Sequence, residues 1–316
     1  MISLWFSRSF APWNYLLAAP LFVLLLGLST WLGPPLWSIT PAAFFEAGSW
    51  SLLFLGVALT TVVALSDQFL QNRLKGGDGQ PLTFLFWMLT MGSTDALRWS
   101  WTMAMASLGL ALFTLAWLHF QNQENAVSLF AAGLAAGLGS LFEQSLLALT
   151  VFGIVALAVW HQKTLRRSVV LLLGVGLPWY GRWAGSVLLG RPWMEPQGGS
   201  LNNLTWLLPQ GYTEVLPWDW MFLLGLAGAG MVFRWLQPAE YHPFLRTVLA
   251  QGLFVMIVLG TAGWLRAGDP WVLVAISAPL WALWGGSFLQ FNDAPWINDL
   301  LFLVWLVLLI YQRVLA

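Results

Sequence analysis

From Trp13 to Leu32 the chain passes no Asp, Glu, Lys or Arg, and the run ends on Gly33-Pro34-Pro35. A helix of about 20 apolar residues is what the hydrocarbon of a bilayer requires. Comparable runs recur to the end of the sequence, and this recurrence limits the fold more than any motif does. Only 8% of the 316 residues are charged, against about 25% in a soluble domain. A water-facing surface cannot be covered with so few charges, so lipid is the expected solvent. In lipid every backbone polar group must be satisfied within the chain, which leaves helices as the spanning element for runs of this length. The sequence therefore predicts an all-α fold, a polytopic transmembrane helical bundle.

After Trp13–Leu32 comes Ala47–Leu65, then a polar stretch from Ser66 to Gln80 that holds Arg73 and Lys75. Pro81–Met91 is about half a span, and Trp99–Leu118 is a full one. Ala126–Leu141 and Ser145–Trp160 are two shorter runs separated by Phe142-Glu143-Gln144. A single straight helix would hold Glu143 near mid-bilayer at a cost of about 3 kcal/mol. Breaking the helix at Glu143 moves the carboxylate to an interface, and the break is the predicted arrangement. Ser168–Leu189 is a span interrupted at Pro178, where a helix hydrogen bond is lost and the chain kinks. Gly190 to Leu216 is a long polar loop, and four spans follow: Pro217–Leu236, Phe244–Leu265, Pro270–Leu289 and Pro295–Leu315. These make about eleven membrane segments, short half-span helices included. Trp13–Leu32 is longer than the apolar core of a signal peptide and reads as a retained first helix.

Lys and Arg in short loops set orientation. With the N-terminus and Arg8 in the cytoplasm, Arg73, Lys75, Lys163, Arg166, Arg167, Arg234 and Arg246 all fall on that side. Arg98, Arg182, Arg191, Arg266 and Arg313 fall on the other, and the C-terminus lies outside. The 23 Trp suit the bilayer interface, where an apolar ring and one N–H donor are both satisfied. Neither an internal repeat nor a separate soluble domain is visible, so residues 1–316 read as one integral membrane domain.

The chemistry open to such a chain is narrow. There is no Cys, which excludes disulfides, thiolate metal sites and a Cys nucleophile. His119, His161 and His242 form no pair with metal-ligand spacing, so neither a metal nor another cofactor is expected. Zero net charge gives no basic face for nucleic acid. Walker, dinucleotide and nucleophile-elbow motifs are absent. What remains is a set of ionisable groups on the outer face: Glu46, Asp95, Arg98, Glu143, Arg182, Arg191, Glu195, Glu214, Asp219, Arg266 and Asp269. A carboxylate there can act as a general base, and an Arg can grip a phosphate through its planar fork. The same groups can equally be interfacial charges held by water and headgroups. Asp95 and Arg98 share a helix face and can pair. Arg182 follows Pro178-Trp179-Tyr180-Gly181 inside an apolar span, where it must snorkel or find a partner. The small-residue run Ala132-Gly133-Leu134-Ala135-Ala136-Gly137-Leu138-Gly139 reads as a surface for close helix packing.

Two stretches resemble known families. Thr94-Asp95-Ala96-Leu97 leading into a span resembles the second outer loop of the GT-C glycosyltransferases, which use polyprenyl-phosphate sugars. So does the order that follows: the Gly/Ala-rich run from Ala131 to Leu141, an apolar half-span, a basic loop, and Leu177-Pro178-Trp179-Tyr180. This likeness covers about residues 80–185, and it implies a GT-C-like core over 1–190 with four further spans over 217–315. Met1-Ile2-Ser3, Phe6-Ser7-Arg8-Ser9 and Pro12-Trp13-Asn14-Tyr15 resemble an uncharacterised multi-pass family of Bacteroidota. That likeness implies a location in the inner membrane of a Gram-negative cell.

In the GT-C pattern a catalytic acid sits in the first outer loop, yet here Gly33 to Phe45 contains none and Glu46 is the nearest. The expected function is therefore a non-catalytic membrane subunit or scaffold related to those enzymes, with membrane lipids and other membrane proteins as partners. The alternative is an active glycosyltransferase that takes a sugar from a polyprenyl phosphate at the outer face. Glu46 or Asp95 would be its base, and Arg98, Arg182 and Arg191 would hold the phosphate. A transporter of small solutes or lipids is the third reading. It is disfavoured because transporters place ionisable groups near the midplane of repeated halves.

Overall fold

The computed structural model describes residues 101–160 and 164–189. It also describes helical positions at 58, 62–63, 65–66, 221–223, 225–229, 251–252, 255, 277, 280–281, 300–301, 303–305, 307–308 and 311. Among the described residues there is no strand, and the fold class is all-α. The chain divides into two compact units. One is Met1–Ser100 with Val215–Leu245 and Ala278–Ala316, and the other is Trp101–Glu214 with Arg246–Ser277. In the first, Trp305 is fully buried, and Ser66 Oγ donates to the Val62 carbonyl at 2.9 Å within a helix.

Among the described residues of the second unit, four helices are complete: α1 (Trp101–Gln123), α2 (Ala126–Phe142), α3 (Ala148–Trp160) and α4 (Thr164–Leu188). Between α2 and α3 lies one 3-10 turn, Gln144–Leu147. Among the described helices, only Ala104–Gln123 in α1 is long and apolar enough to cross a membrane by length and composition. Ala126–Phe142 and Gln144–Val159 are shorter apolar helices. Of the other expected segments, Ser168–Leu189 is described as part of α4, and the rest lie wholly or largely outside the described residues.

The helix boundaries follow local chemistry. α1 runs on past Leu118, the end expected for the span, through His119, Gln121 and Gln123, all of which a helix tolerates. It stops at Glu124, whose φ of 50° is left-handed and unusual for a residue with a side chain. Asn125 then caps α2, its side chain accepting from the Val127 N–H at 3.0 Å, as short polar side chains do at N-caps. The predicted break falls at Glu143. That residue is extended, its N–H closes α2 on the Gly139 carbonyl at 3.0 Å, and its Oε1 accepts from the Ser145 N–H at 3.2 Å to open the 3-10 turn.

α4 departs from expectation at both points of interest. It begins at Thr164, ahead of Ser168, and takes Arg166 and Arg167 into its first turns. It also runs through Pro178 without interruption. Proline normally clashes with the carbonyl four residues back. That position is Gly174, and both it and Pro178 are buried.

Small residues set how the helices meet. α1 and α2 form an antiparallel hairpin in which a methyl on Gly109 would lie 2.6 Å from the Gly139 Cα. α4 lies parallel to α2 on another face: a methyl on Gly137 would lie 2.5 Å from the Val175 carbonyl oxygen, and one on Gly174 2.5 Å from that of Phe130. Gly133 is packed as closely against Leu171. The expected packing role of the Gly/Ala run is what the structure shows. α3 is held differently, by rings. Phe152 meets Trp117 at 5.2 Å and Phe113 at 6.1 Å between centroids, and Trp117 also meets Phe113 and Phe120.

Candidate membrane-interface site at the ends of α2 and α4

The parallel register of α2 and α4 builds this site. Gly133 faces Leu171 and Gly174, and Gly137 faces Val175 and Pro178. One turn further on, Trp179 Nε1 donates to Ser140 Oγ at 2.9 Å, and that hydroxyl donates to the Gly137 carbonyl at 2.7 Å. Carrying the same register onward brings Glu143 level with Arg182. Both side chains are half-buried and engaged in polar interactions. Beside them Tyr180 and Trp183 form an exposed ring pair, 5.7 Å between centroids. A carboxylate, a guanidinium and two amphipathic rings thus lie toward the same ends of α2 and α4.

The opposite end carries a second polar cluster that the sequence did not single out. Arg167 Nη2 donates to Glu124 Oε2 in an ion pair, and the guanidinium lies 5.6 Å from the centroid of the Phe120 ring. Such placement over a ring face is attractive. The pair joins the α1–α2 turn to the first turn of α4. Its partners stand 43 residues apart, and no local spacing rule reaches that far.

A third polar contact lies inside. Trp117 Nε1 donates to Gln251 Oε1 at 3.0 Å, and both residues are buried. The Nε2 of Gln251 has no acceptor among the described residues. A Gln in an otherwise apolar run was the available sequence signal, but its partner was not legible.

Of the residues given catalytic or phosphate-binding roles from sequence, only Arg182 falls among those described. Glu46 and Asp95, the candidate bases, and Arg98 and Arg191, the other candidate phosphate ligands, lie outside the described residues. Glu143, expected at an interface, is the carboxylate brought to the level of Arg182. Among the described residues no group of three or more His, Asp or Glu could hold a metal ion. No protein-family model, no curated protein and no solved structure matches this chain.

Proposed function

We propose that the chain is a multi-pass protein of a bacterial inner membrane, with its N-terminus in the cytoplasm. It acts as a non-catalytic subunit or scaffold related to the GT-C glycosyltransferases. The observation that carries the membrane part is the distribution of size and polarity across α3 and α4. Leu147, Val151, Val155 and Val159 form an exposed apolar stripe, and Leu165, Val169, Leu172, Leu173 and Leu177 are exposed on α4. The inward face of α4 is instead Gly174, Val175 and Pro178 with Leu171. Large apolar side chains outside and close backbone approach at the packed face, here Gly174 against Gly133 of α2, fit the membrane pattern, because lipid solvates the former and close approach holds the helices together. Two short helices with a break, then a helix bearing Leu177-Pro178-Trp179-Tyr180, follow the GT-C order. The lack of an acid between Gly33 and Phe45 favours a scaffold over an enzyme.

The membrane part is tested by washing membranes with alkaline carbonate: the chain stays in the pellet and needs detergent to leave it. Release by carbonate alone refutes this part. The second reading, an active glycosyltransferase, is favoured by Glu143 and Arg182 standing at one level. It is tested with labelled polyprenyl-phosphate sugar. A scaffold gives no transfer, whereas an enzyme gives transfer that Glu46→Gln or Asp95→Asn abolishes.

A further inference from the structure

We propose that the start of α4, from Thr164 to Val170, is a latched segment. It unwinds from the α1–α2 turn as a unit, with its hinge at Leu171, and the ion pair of Glu124 with Arg167 is the latch. Such a device is independent of the membrane reading above and of the likeness to the glycosyltransferases.

Burial divides α4 unevenly. Its buried residues are Leu171, Gly174, Val175 and Pro178. The close approaches to α2 begin at Leu171, whose side chain also lies against Gly153 of α3. From Thr164 to Val170 no side chain is buried: Leu165, Arg166 and Val169 are exposed, and Thr164, Arg167, Ser168 and Val170 are half-buried. A helix end with so little buried apolar surface opens more readily than the helix it belongs to. What ties this end down is Arg167, paired with Glu124 and set beside the Phe120 ring.

The backbone at Glu124 points the same way. Its N–H donates to the Phe120 carbonyl at 2.7 Å and closes α1, with φ at 50°. Glycine takes that left-handed position without steric cost and is the usual residue there. A Glu holds it under strain, and strain that persists marks a position where the side chain has a task. The carboxylate is what glycine lacks, and Arg167 needs it. The Arg167 side chain is 19% exposed, and its Nη1 is buried with no acceptor among the described residues. A cation so placed is driven toward water once its anion is lost. The Glu124 side chain is 57% exposed, so salt can screen the pair. The contact that docks the segment is therefore also one that can release it.

Amide hydrogen exchange of the full chain in detergent, read by mass spectrometry, tests the latch. In a helix the carbonyls of Thr164 to Val170 accept from the N–H groups of Ser168 to Gly174, so unwinding frees those amides. Glu124→Gln keeps the size of the side chain and removes the charge. Exchange from Ser168 to Gly174 is expected to rise roughly fivefold, the upper end for a half-exposed pair, while Val175 to Leu188 is unchanged. Wild-type chain in about 1 M salt, where screening acts within about 3 Å, is expected to show the same local rise, which needs no variant to fold. Exchanging the charges, Glu124→Arg with Arg167→Glu, is expected to restore protection. Glu124→Gly relaxes the backbone but lacks the carboxylate, so it too is expected to speed exchange from Ser168 to Gly174. Unchanged exchange in Glu124→Gln and in salt overturns the latch. A rise spread evenly to Leu188 overturns the hinge at Leu171. Slower exchange in Glu124→Gly shows that backbone strain governs this end of α4 and overturns the role given to the carboxylate.

Discussion

α2 and α3 are consecutive, joined at Glu143, and both strongly apolar, yet they are held by opposite means. α2 buries Ala132, Gly133, Ala135, Ala136, Gly137, Gly139 and Ser140, so its neighbours meet it at the backbone. α3 buries Leu149, Phe152, Ala156 and Leu157 and shows a stripe of valines to its surroundings. One helix has partners on two faces, and the other has its partners on one. The difference teaches that residue size, more than hydrophobicity, decides which helix takes the centre of such a bundle. In hydrocarbon a Leu gains nothing by leaving lipid for protein, while a Gly lets two backbones approach and gather dispersion contacts.

The comparison breaks first at Gly137. A methyl there already meets the Val175 carbonyl oxygen and Cα, and neither can rotate away as a side chain would. Gly137→Leu is expected to separate α4 from α2 at a cost of about 4 kcal/mol, above the usual cost of overpacking because the clash is with backbone. The measurement is thermal unfolding of the purified chain in detergent. Wild-type stability in this variant refutes the central place given to α2. Phe152→Ala is the matching test for α3. Phe152 is fully buried and touches Phe113 and Trp117, so its loss leaves a cavity worth about 3 kcal/mol. A drop larger than that of Gly137→Leu would reverse the order of the two helices.

Much of this contrast was legible in the sequence. The density of Gly and Ala from Ala132 to Gly139 announced close packing, and Glu143 in an apolar run announced a break. Both signals are local, because small side chains and a misplaced carboxylate act on the backbone beside them. The ends of α1 and α4 were not legible. Polar His119 and Gln121 looked like the start of a loop, yet helical geometry tolerates them, and the stop came from the backbone angle at Glu124. The join of Arg167 to Glu124 was not legible either, since it depends on how α4 docks. At the candidate site, Arg182 was legible as a charge out of place. Its level with Glu143 follows from the parallel register of two helices, which no single-helix pattern encodes.

Gln251 gives a smaller effect. Its Oε1 accepts from Trp117, while its Nε2 has no acceptor among the described residues. Gln251→Leu loses one hydrogen bond, worth about 1 kcal/mol, and exchanges one unsatisfied donor, Nε2, for another, the buried Trp117 N–H. The expected loss in unfolding is therefore about 1 kcal/mol. Indole fluorescence sharpens the reading, because Trp117 loses its polar partner and its emission shifts. Gln251→Ala removes the same bond and also opens a void, so it is expected to be the less stable of the two variants. Equal stability would mean that the site is not closely packed.

Two effects of opposite sign, the stabilising one the smallest expected, separate two glycines that stand two residues apart on α4. A methyl on Gly174 would lie 2.5 Å from the Phe130 carbonyl oxygen and 2.9 Å from the Leu134 N, whereas one on Gly176 would meet nothing within 4 Å. Gly174→Ala is therefore expected to destabilise by about 2 kcal/mol, since backbone on α2 must move to admit it. Gly176→Ala removes the entropic penalty of a mid-helix glycine with no clash in return, so it is expected to stabilise by roughly 0.5 kcal/mol. Unfolding of the two variants in one detergent reads the difference directly. If both lose stability, the outward face of α4 is packed as closely as its inward face. If both gain, α4 does not pack on α2 through Gly174, and the register that brings Arg182 level with Glu143 fails with it.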